Sequence, residues 1–155
     1  MILIAHRGNT NGRFESYENE PNYIDKAINE GFDVEVDVWV KDKDIFLGHD
    51  TAQYGVNFRW LKDRISKLWI HCKNIEAVEF FSKHEYDYHY FWHQEDSFTI
   101  TSEGYIWTFP GNQLSLRSID VVPEWHLDHK ELINYDKECY GVCSKYVGLM
   151  KKVTK

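Results

Sequence analysis

The stretch at residues 33–39, Asp-Val-Glu-Val-Asp-Val-Trp, constrains the fold of this chain more than any other. Its strict alternation predicts a β-strand with valines on one face and acids on the other, namely Val34, Val36 and Val38 against Asp33, Glu35 and Asp37. In a half-exposed strand the acidic face is solvated. In a closed barrel both faces are covered, and unpaired carboxylates are then very costly. A bound metal ion would remove that cost.

Apolar runs and helical spacing divide the rest of the chain into short elements. Further strands are predicted at 2–6, 45–47, 68–73, 89–93, 105–109, 118–122 and 141–143. Helices are predicted between 19 and 31, at 58–67, near 128–138, and after Asn74 with Ile75, Val78 and Phe81 on the core face. The first half therefore alternates strand and helix, as in parallel βα units, whereas the second half has little helix.

Length and charge limit the classes of protein. With 155 residues, a single domain over 1–155 is expected. The net charge of -7 argues against binding to nucleic acid, because that requires clustered Lys and Arg. It permits a small phosphorylated substrate held by one Arg and a metal ion. No membrane span or signal peptide is predicted, and three sparse cysteines indicate no disulfide framework, so a cytoplasmic location is expected.

Several polar side chains lie at or near the carboxyl ends of predicted strands, where active sites of α/β barrels form. They are His6, Glu35, Asp37, His49 and either His71 or Lys73. Two acids at i and i+2 share a face and can bind one hard cation such as Mg²⁺ or Ca²⁺. Two histidines can serve as a general acid and a general base, and an Arg beside one of them can bind two phosphate oxygens.

Four short motifs occur in a specific order along residues 2–50. They are Ile4-Ala5-His6-Arg7-Gly8, Glu18-Asn19, Glu35-Val36-Asp37-Val38 and His49-Asp50. In this order they resemble the motifs of the glycerophosphodiester phosphodiesterase family, within the phospholipase-C-like phosphodiesterase superfamily, and the chain resembles a short divergent member. Residues 69–73 resemble that family's third strand. Residues 140–146 are faintly similar to its final strand motif, with Lys145 where an Asp is usual.

The resemblance implies a fold and a set of roles. The fold would be a reduced or irregular TIM-type (β/α) barrel with a shortened second half, because a full barrel typically takes about 200 residues or more. The catalytic pair would be His6 and His49. Arg7 and Lys73 would bind the substrate phosphate.

The metal set implied by the resemblance is Glu35, Asp37 and a third ligand. The family has a Glu at that third position, where this chain has His71. Mg²⁺ or Ca²⁺ is the expected ion, and Mn²⁺ or Zn²⁺ is the alternative because imidazole suits them better. Two further alternatives are a weakened site and a ligand from elsewhere, with Glu95, Asp96 and Glu124 as candidates.

Three more residues are predicted to line the pocket. Glu124 follows the predicted strand at 118–122, and His93 ends the strand at 89–93. Trp107 is predicted to shape the pocket, with a core position as the alternative.

The sequence thus predicts metal-dependent hydrolysis of a small glycerophosphodiester-like substrate by a two-histidine mechanism. Its partner would be that small molecule, with no nucleic acid and no membrane span. One alternative is a catalytically degenerate phosphate-ester binding protein on the same barrel. The other is a lyase that forms a cyclic phosphate and stops there.

Overall fold

The structure is a computed structural model that describes residues 1–83 and 85–151. Within these residues, ten strands join in one mixed sheet. The strands are β1 (Ile2–His6), β2 (Asp33–Lys41), β3 (Asp44–Leu47), β4 (Tyr54–Val56), β5 (Leu68–Cys72), β6 (Tyr90–Phe91), β7 (Phe98–Ile100), β8 (Ile106–Thr108), β9 (Ser118–Val121) and β10 (Gly141–Ser144). The helices are α1 (Pro21–Asn29), α2 (Phe58–Lys62), α3 (Ile75–Lys83), α4 (His129–Ile133) and α5 (Val147–Lys151). Within the described ranges, no helix is long and apolar enough to cross a membrane.

Seven strands run parallel, in the spatial order β6-β5-β2-β1-β10-β9-β8. Strand β7 pairs antiparallel with β8, and the β3–β4 hairpin continues from β2 in antiparallel pairing. Among the described residues, β6 pairs with β5 alone and β7 with β8 alone. The sheet therefore stays open and forms a half-barrel.

The predicted TIM-type (β/α) barrel is wrong. That fold needs a helix after each of eight parallel strands to cover the outside of a closed barrel. Here two hairpins interrupt the alternation, and residues 92–117, all of them described, contain no α-helix. The weak helical signal of the second half was interpreted as shortened βα units. Instead, β7 and β8 satisfy their backbone groups by pairing with each other.

The alternation in residues 33–39 is confirmed, and both faces of β2 are covered. Val34, Val36 and Val38 are fully buried against α1 and α3. Burial of each such side chain is worth about 1.5–3 kcal/mol relative to exposure. On the other face Glu35 and Asp37 are 1% and 0% exposed. The acids therefore lie inside the half-barrel rather than in solvent.

The predicted core face of the helix after Asn74 is partly wrong. Helix α3 buries Ala77 and Phe81, whereas Ile75 is 72% exposed. The Asn74 side chain explains this, since it bonds to both backbone groups of Val40 and accepts from the Ala77 N–H. These bonds set where the helix begins and leave its first residue facing outward.

Several predicted bounds also change. The helix predicted at 58–67 ends at Lys62, and the one predicted near 128–138 spans only His129–Ile133. Strands β4 and β7 and helix α5 were not predicted.

Inside the half-barrel, a second apolar cluster fills the space beneath the carboxyl ends of the strands. Its aromatic members are Trp69, Phe91 and Trp107, with ring centroids 6.1 Å apart for the two tryptophans and 4.4 Å for Phe91 and Trp107.

Candidate active site

Three potential metal ligands converge from two paired strands. Glu35 and Asp37 project from β2, and His71 lies directly across from Asp37 on β5. His71 Nδ1 lies 3.1 Å from Asp37 Oδ1 and 3.6 Å from Glu35 Oε1. One ligand atom from each residue lies within 4.8 Å of the other two. This spacing suits a shared cation.

The His71 ring is held from its far side. Its Nε2 lies 2.7 Å from the carbonyl oxygen of His93, which accepts from the Nε2–H group and leaves Nδ1 facing the carboxylates. Burial alone would lower the pKa of His71, but the adjacent Asp37 and Glu35 outweigh it and raise that pKa to about 9. The metal-free ring is therefore protonated at neutral pH, and a metal ion would take the place of that proton.

Asp37 is the most enclosed charged group of the site. Asn19 donates to its Oδ2 at 2.8 Å and accepts from its backbone N–H at 2.9 Å. Arg7 Nε lies 3.0 Å from the same oxygen, and Lys73 Nζ lies 3.7 Å from Oδ1. Burial would raise the pKa of Asp37, but His71, Arg7 and Lys73 hold it well below its ordinary range. Oδ1 is buried without an aligned hydrogen bond within the described chain.

The backbone at Arg7 is strained. Its φ of 55° is left-handed, which costs a non-glycine residue on the order of 1 kcal/mol or more. Several contacts hold it there. The Arg7 N–H group donates to both the backbone and side-chain oxygens of Glu35, and the Arg7 carbonyl accepts from the Asn19 N–H. The guanidinium donates to Glu18 at 3.2 Å. The Glu18-Asn19 pair therefore positions this arginine beside Asp37.

The two histidines predicted as catalytic differ in environment. His6, at the end of β1, lies 3.8 Å from Glu35 through Nε2. Burial, together with the charges of Arg7 and Lys145, lowers the pKa of His6 well below its ordinary value, so its ring is neutral. His49 lies in the loop after β3 with a side chain 40% exposed, and its Nδ1 is 2.7 Å from Asp50. Both histidines line the same cleft.

This cleft has a volume of about 430 Å³ and two chemically different parts. One part carries a basic set, consisting of Arg7, Arg13, Lys73 and Lys145. The other is an apolar wall from the ends of β8 and β9, consisting of Trp107, Phe109, Pro110, Val121, Val122 and Trp125. Arg7, Arg13 and Lys73 each pair with a carboxylate. Lys145 forms no ion pair among the described residues, so it offers the most available positive charge for an anionic ligand.

Lys145 is a candidate ligand-binding residue that was not predicted. It follows β10, and in the described part of the chain its ammonium group takes part in no ion pair. Burial, countered in part by Glu18 and Glu124, lowers the pKa of Lys145. The sequence signal was present, since Lys145 stands where the similar family has an Asp. From the sequence alone, that difference indicated only a departure from the family's pattern and gave Lys145 no role in binding.

Of the three further residues predicted to line the pocket, two line the main cleft and Glu124 lies beside it. The Glu124 carboxylate accepts from Ser144 Oγ at 2.7 Å and from the Lys145 N–H at 3.0 Å, so it holds the end of β10 beside a neighbouring cleft. His93 and Trp107 both line the main cleft. The alternative metal ligands Glu95 and Asp96 are exposed and lie outside the metal-ligand cluster found among the described residues.

Comparison with family models, curated proteins and solved structures finds no match for this chain. The comparisons therefore neither support nor refute the family resemblance of residues 2–50. The geometry itself defines a triad of potential metal ligands, of which Glu35 and His71 line the cleft and Asp37 lies buried behind it. The basic set and the two histidines line the same cleft.

Proposed function

We propose that this protein hydrolyses a small phosphodiester, in the manner of the glycerophosphodiester phosphodiesterase family, with a divalent cation held by Glu35, Asp37 and His71. The observation that carries the proposal is the convergence of these three residues at a cleft with four basic side chains. A phosphodiester is an anion, and such a combination of charges is suited to bind one.

The three residues fit a metal ion. Asp37 Oδ1 is buried without an aligned hydrogen bond among the described residues, and His71 Nδ1 lies 3.1 Å from it, where a metal ion could replace the Nδ1 proton. Carboxylate oxygens suit Mg²⁺ and Ca²⁺, whereas the imidazole nitrogen favours Mn²⁺ or Zn²⁺. When bound, such an ion supplies positive charge against the negative charge that builds on the phosphoryl oxygens.

The basic set orients the substrate. The Arg7 guanidinium presents several donors in a fixed plane, and Lys73 and Lys145 add mobile ammonium groups. The Lys145 ammonium group forms no direct ion pair among the described residues, so an anionic ligand would supply a direct partner. This part of the cleft would bind the nonbridging phosphoryl oxygens.

Proton transfer would fall to the two histidines. Neutral His6 accepts the proton of the attacking water, or of a substrate hydroxyl, as the new O–P bond forms. His49, with its ring oriented by Asp50, donates a proton to the leaving alcohol oxygen as the old P–O bond breaks. The base role is assigned to His6 because its ring lines the cleft and burial keeps it neutral at neutral pH, so it can accept a proton.

The test is hydrolysis of glycerophosphodiesters with Mg²⁺, Ca²⁺, Mn²⁺ or Zn²⁺, with and without a chelator. We expect His6→Ala and His49→Ala each to lower kcat by about 100-fold or more. The matched control is His126→Ala, which removes an exposed histidine outside the cleft. Activity that survives both substitutions would refute the acid/base assignment. Phosphorus NMR of the product separates hydrolysis from release of a cyclic phosphate.

A second candidate function is phosphate-ester binding without turnover. The observation that favours it is the set of cations already around Asp37, namely Arg7, Lys73 and protonated His71. These groups balance the two buried carboxylates without a metal ion. Calorimetric titration with inorganic phosphate tests it. Binding that is weakened by Lys145→Ala but not by substitution of the exposed Lys26 of α1 (Lys26→Ala), without turnover under any metal, would favour this function.

A further inference from the structure

The apolar wall of the cleft runs from a buried base to an exposed rim. Trp107 at its base is 4% exposed, whereas Trp125 at the rim is 60% exposed. Phe109 contacts Trp125 edge to face, with ring centroids 6.1 Å apart and an interplanar angle of 82°. Most of the Trp125 ring thus remains available to a ligand.

A strained backbone holds Trp125 in this place. Val122 has φ 41° and ψ 55°, a left-handed conformation that is costly for a β-branched residue. Its N–H donates to the Cys143 carbonyl at 2.7 Å, and its own carbonyl accepts from the Trp125 N–H at 3.0 Å. These bonds turn the chain directly after β9 into the 3₁₀ turn at Pro123–Trp125. Strain of this kind concentrates where the backbone serves a ligand site.

We propose that the apolar wall binds a planar aromatic ring carried by one ester group of the substrate. The inference rests on the proposed function for the identity of the neighbouring phosphodiester. Tryptophan and phenylalanine rings bind planar rings by offset stacking and edge-to-face contact. A substrate with glycerol as its only organic group would leave Trp125 uncovered.

The order of the strands places the proposed ring site next to the proposed phosphate site. The wall comes from β8 and β9, Lys145 follows the neighbouring β10, and His6 and Arg7 end β1 on its far side. A volume of about 430 Å³ holds a phosphate and a small ring system. The wall presents the rings of Trp107, Phe109 and Trp125, which match a planar ring by stacking and edge-to-face contact better than they match a flexible acyl chain. We therefore assign the wall to a ring.

Binding of two matched ligands tests this without requiring turnover. Benzyl phosphate and methyl phosphate differ in the ring alone, and each is titrated calorimetrically. We expect wild type to bind benzyl phosphate roughly tenfold or more tightly, the gain of one stacking contact. Trp125→Ala should abolish the difference and Trp125→Phe should keep most of it. Trp92→Ala is the matched control, because Trp92 is 43% exposed and lies outside the cleft.

Equal affinity of wild type for the two ligands would overturn the proposal. So would equal weakening of both by Trp125→Ala, or no binding of either. The benzyl and methyl diesters of glycerol phosphate then test turnover, since their leaving alcohols are similar in acidity. Trp125→Ala should raise KM for the benzyl diester alone. Absence of turnover with both diesters would refute the proposed hydrolysis, while the binding comparison would still decide the ring site.

Discussion

At the residue scale, the site depends on a balance of buried charge. Glu35 lines the cleft and Asp37 lies beneath it, with Arg7, Lys73 and protonated His71 around them. Removing one member of such a network leaves an uncompensated charge, which costs about 3–5 kcal/mol in typical proteins. The arrangement is therefore stable only as a set, and a metal ion would enter it by displacing a proton from His71.

A different histidine makes stability depend on pH. Burial lowers the pKa of His89 to about 4, with Thr101 Oγ1 2.7 Å from its Nε2 and Glu103 3.6 Å from its Nδ1. Because the unfolded pKa is about 6.5, this group's stabilising contribution is complete above pH 6.5 and is lost as pH falls towards 4. We expect a loss of up to about 3 kcal/mol in the free energy of unfolding.

Urea unfolding at pH 7, 5.5 and 4.5 measures this loss. His89→Gln keeps a neutral polar side chain, so its stability should fall less over the same range. Equal pH dependence of the variant and wild type would contradict the assignment to His89.

At the element scale, the strand ends position the site and the loops complete it. Gly48, after β3, has φ 151°, and its carbonyl accepts from Trp39 Nε1 at 2.7 Å. Its N–H donates to the Asp37 carbonyl at 3.1 Å. These bonds tie the loop that carries His49 to β2, so the histidine's position depends on the backbone of this glycine.

Gly48→Ala should therefore impair activity. An added Cβ would lie 2.1 Å from the Thr51 carbonyl oxygen, which forces the loop to move. A displacement of about 1 Å at a catalytic group can lower turnover by about 100-fold. Phosphodiester hydrolysis and thermal unfolding are measured together. The control is Gly55→Ala on β4, where the added Cβ meets only the Phe46 ring at 3.8 Å. Equal kcat in the two variants would argue against a positioning role for this loop.

At the scale of the whole molecule, strand order creates the site. His6, the Glu35–Asp37 pair and His71 are far apart in sequence, but β1, β2 and β5 are neighbours in the sheet. Because these strands are parallel, their carboxyl ends lie at one edge of the half-barrel. A ligand bound there would join strands whose pairing involves long-range contacts.

Metal binding should consequently stabilise the entire fold. A divalent cation at 100 times its Kd is expected to raise the free energy of unfolding by about 2.7 kcal/mol. Denaturant unfolding with and without the cation measures the gain. Asp37→Asn should abolish it, whereas His49→Ala, outside the ligand set, should retain it. An undiminished gain in Asp37→Asn would place the metal elsewhere.

The sequence by itself determined the local features. The alternation at 33–39 predicted that Val34 and Glu35 face opposite sides, because side-chain direction in a strand depends only on neighbouring residues. Apolar runs elsewhere in the sequence likewise predicted most of the other strands to within a few residues of their observed bounds. Positions at or near predicted strand ends placed Glu35 and Asp37 in one site with either His71 or Lys73, and the family resemblance implied His71 as the third ligand. The structure brings Glu35, Asp37 and His71 together.

Only the tertiary structure decided how the strands assemble. The open half-barrel, the β7–β8 pairing and the outward Ile75 depend on contacts between distant segments, which local spacing does not encode. The same holds for Lys145 and Trp125, which join the cleft because β10 lies beside β1 and β9 lies beside β10. Periodicity tells which face of a strand is buried. The segment that packs on this face is selected by the total apolar surface that the whole chain buries, which local spacing does not reveal.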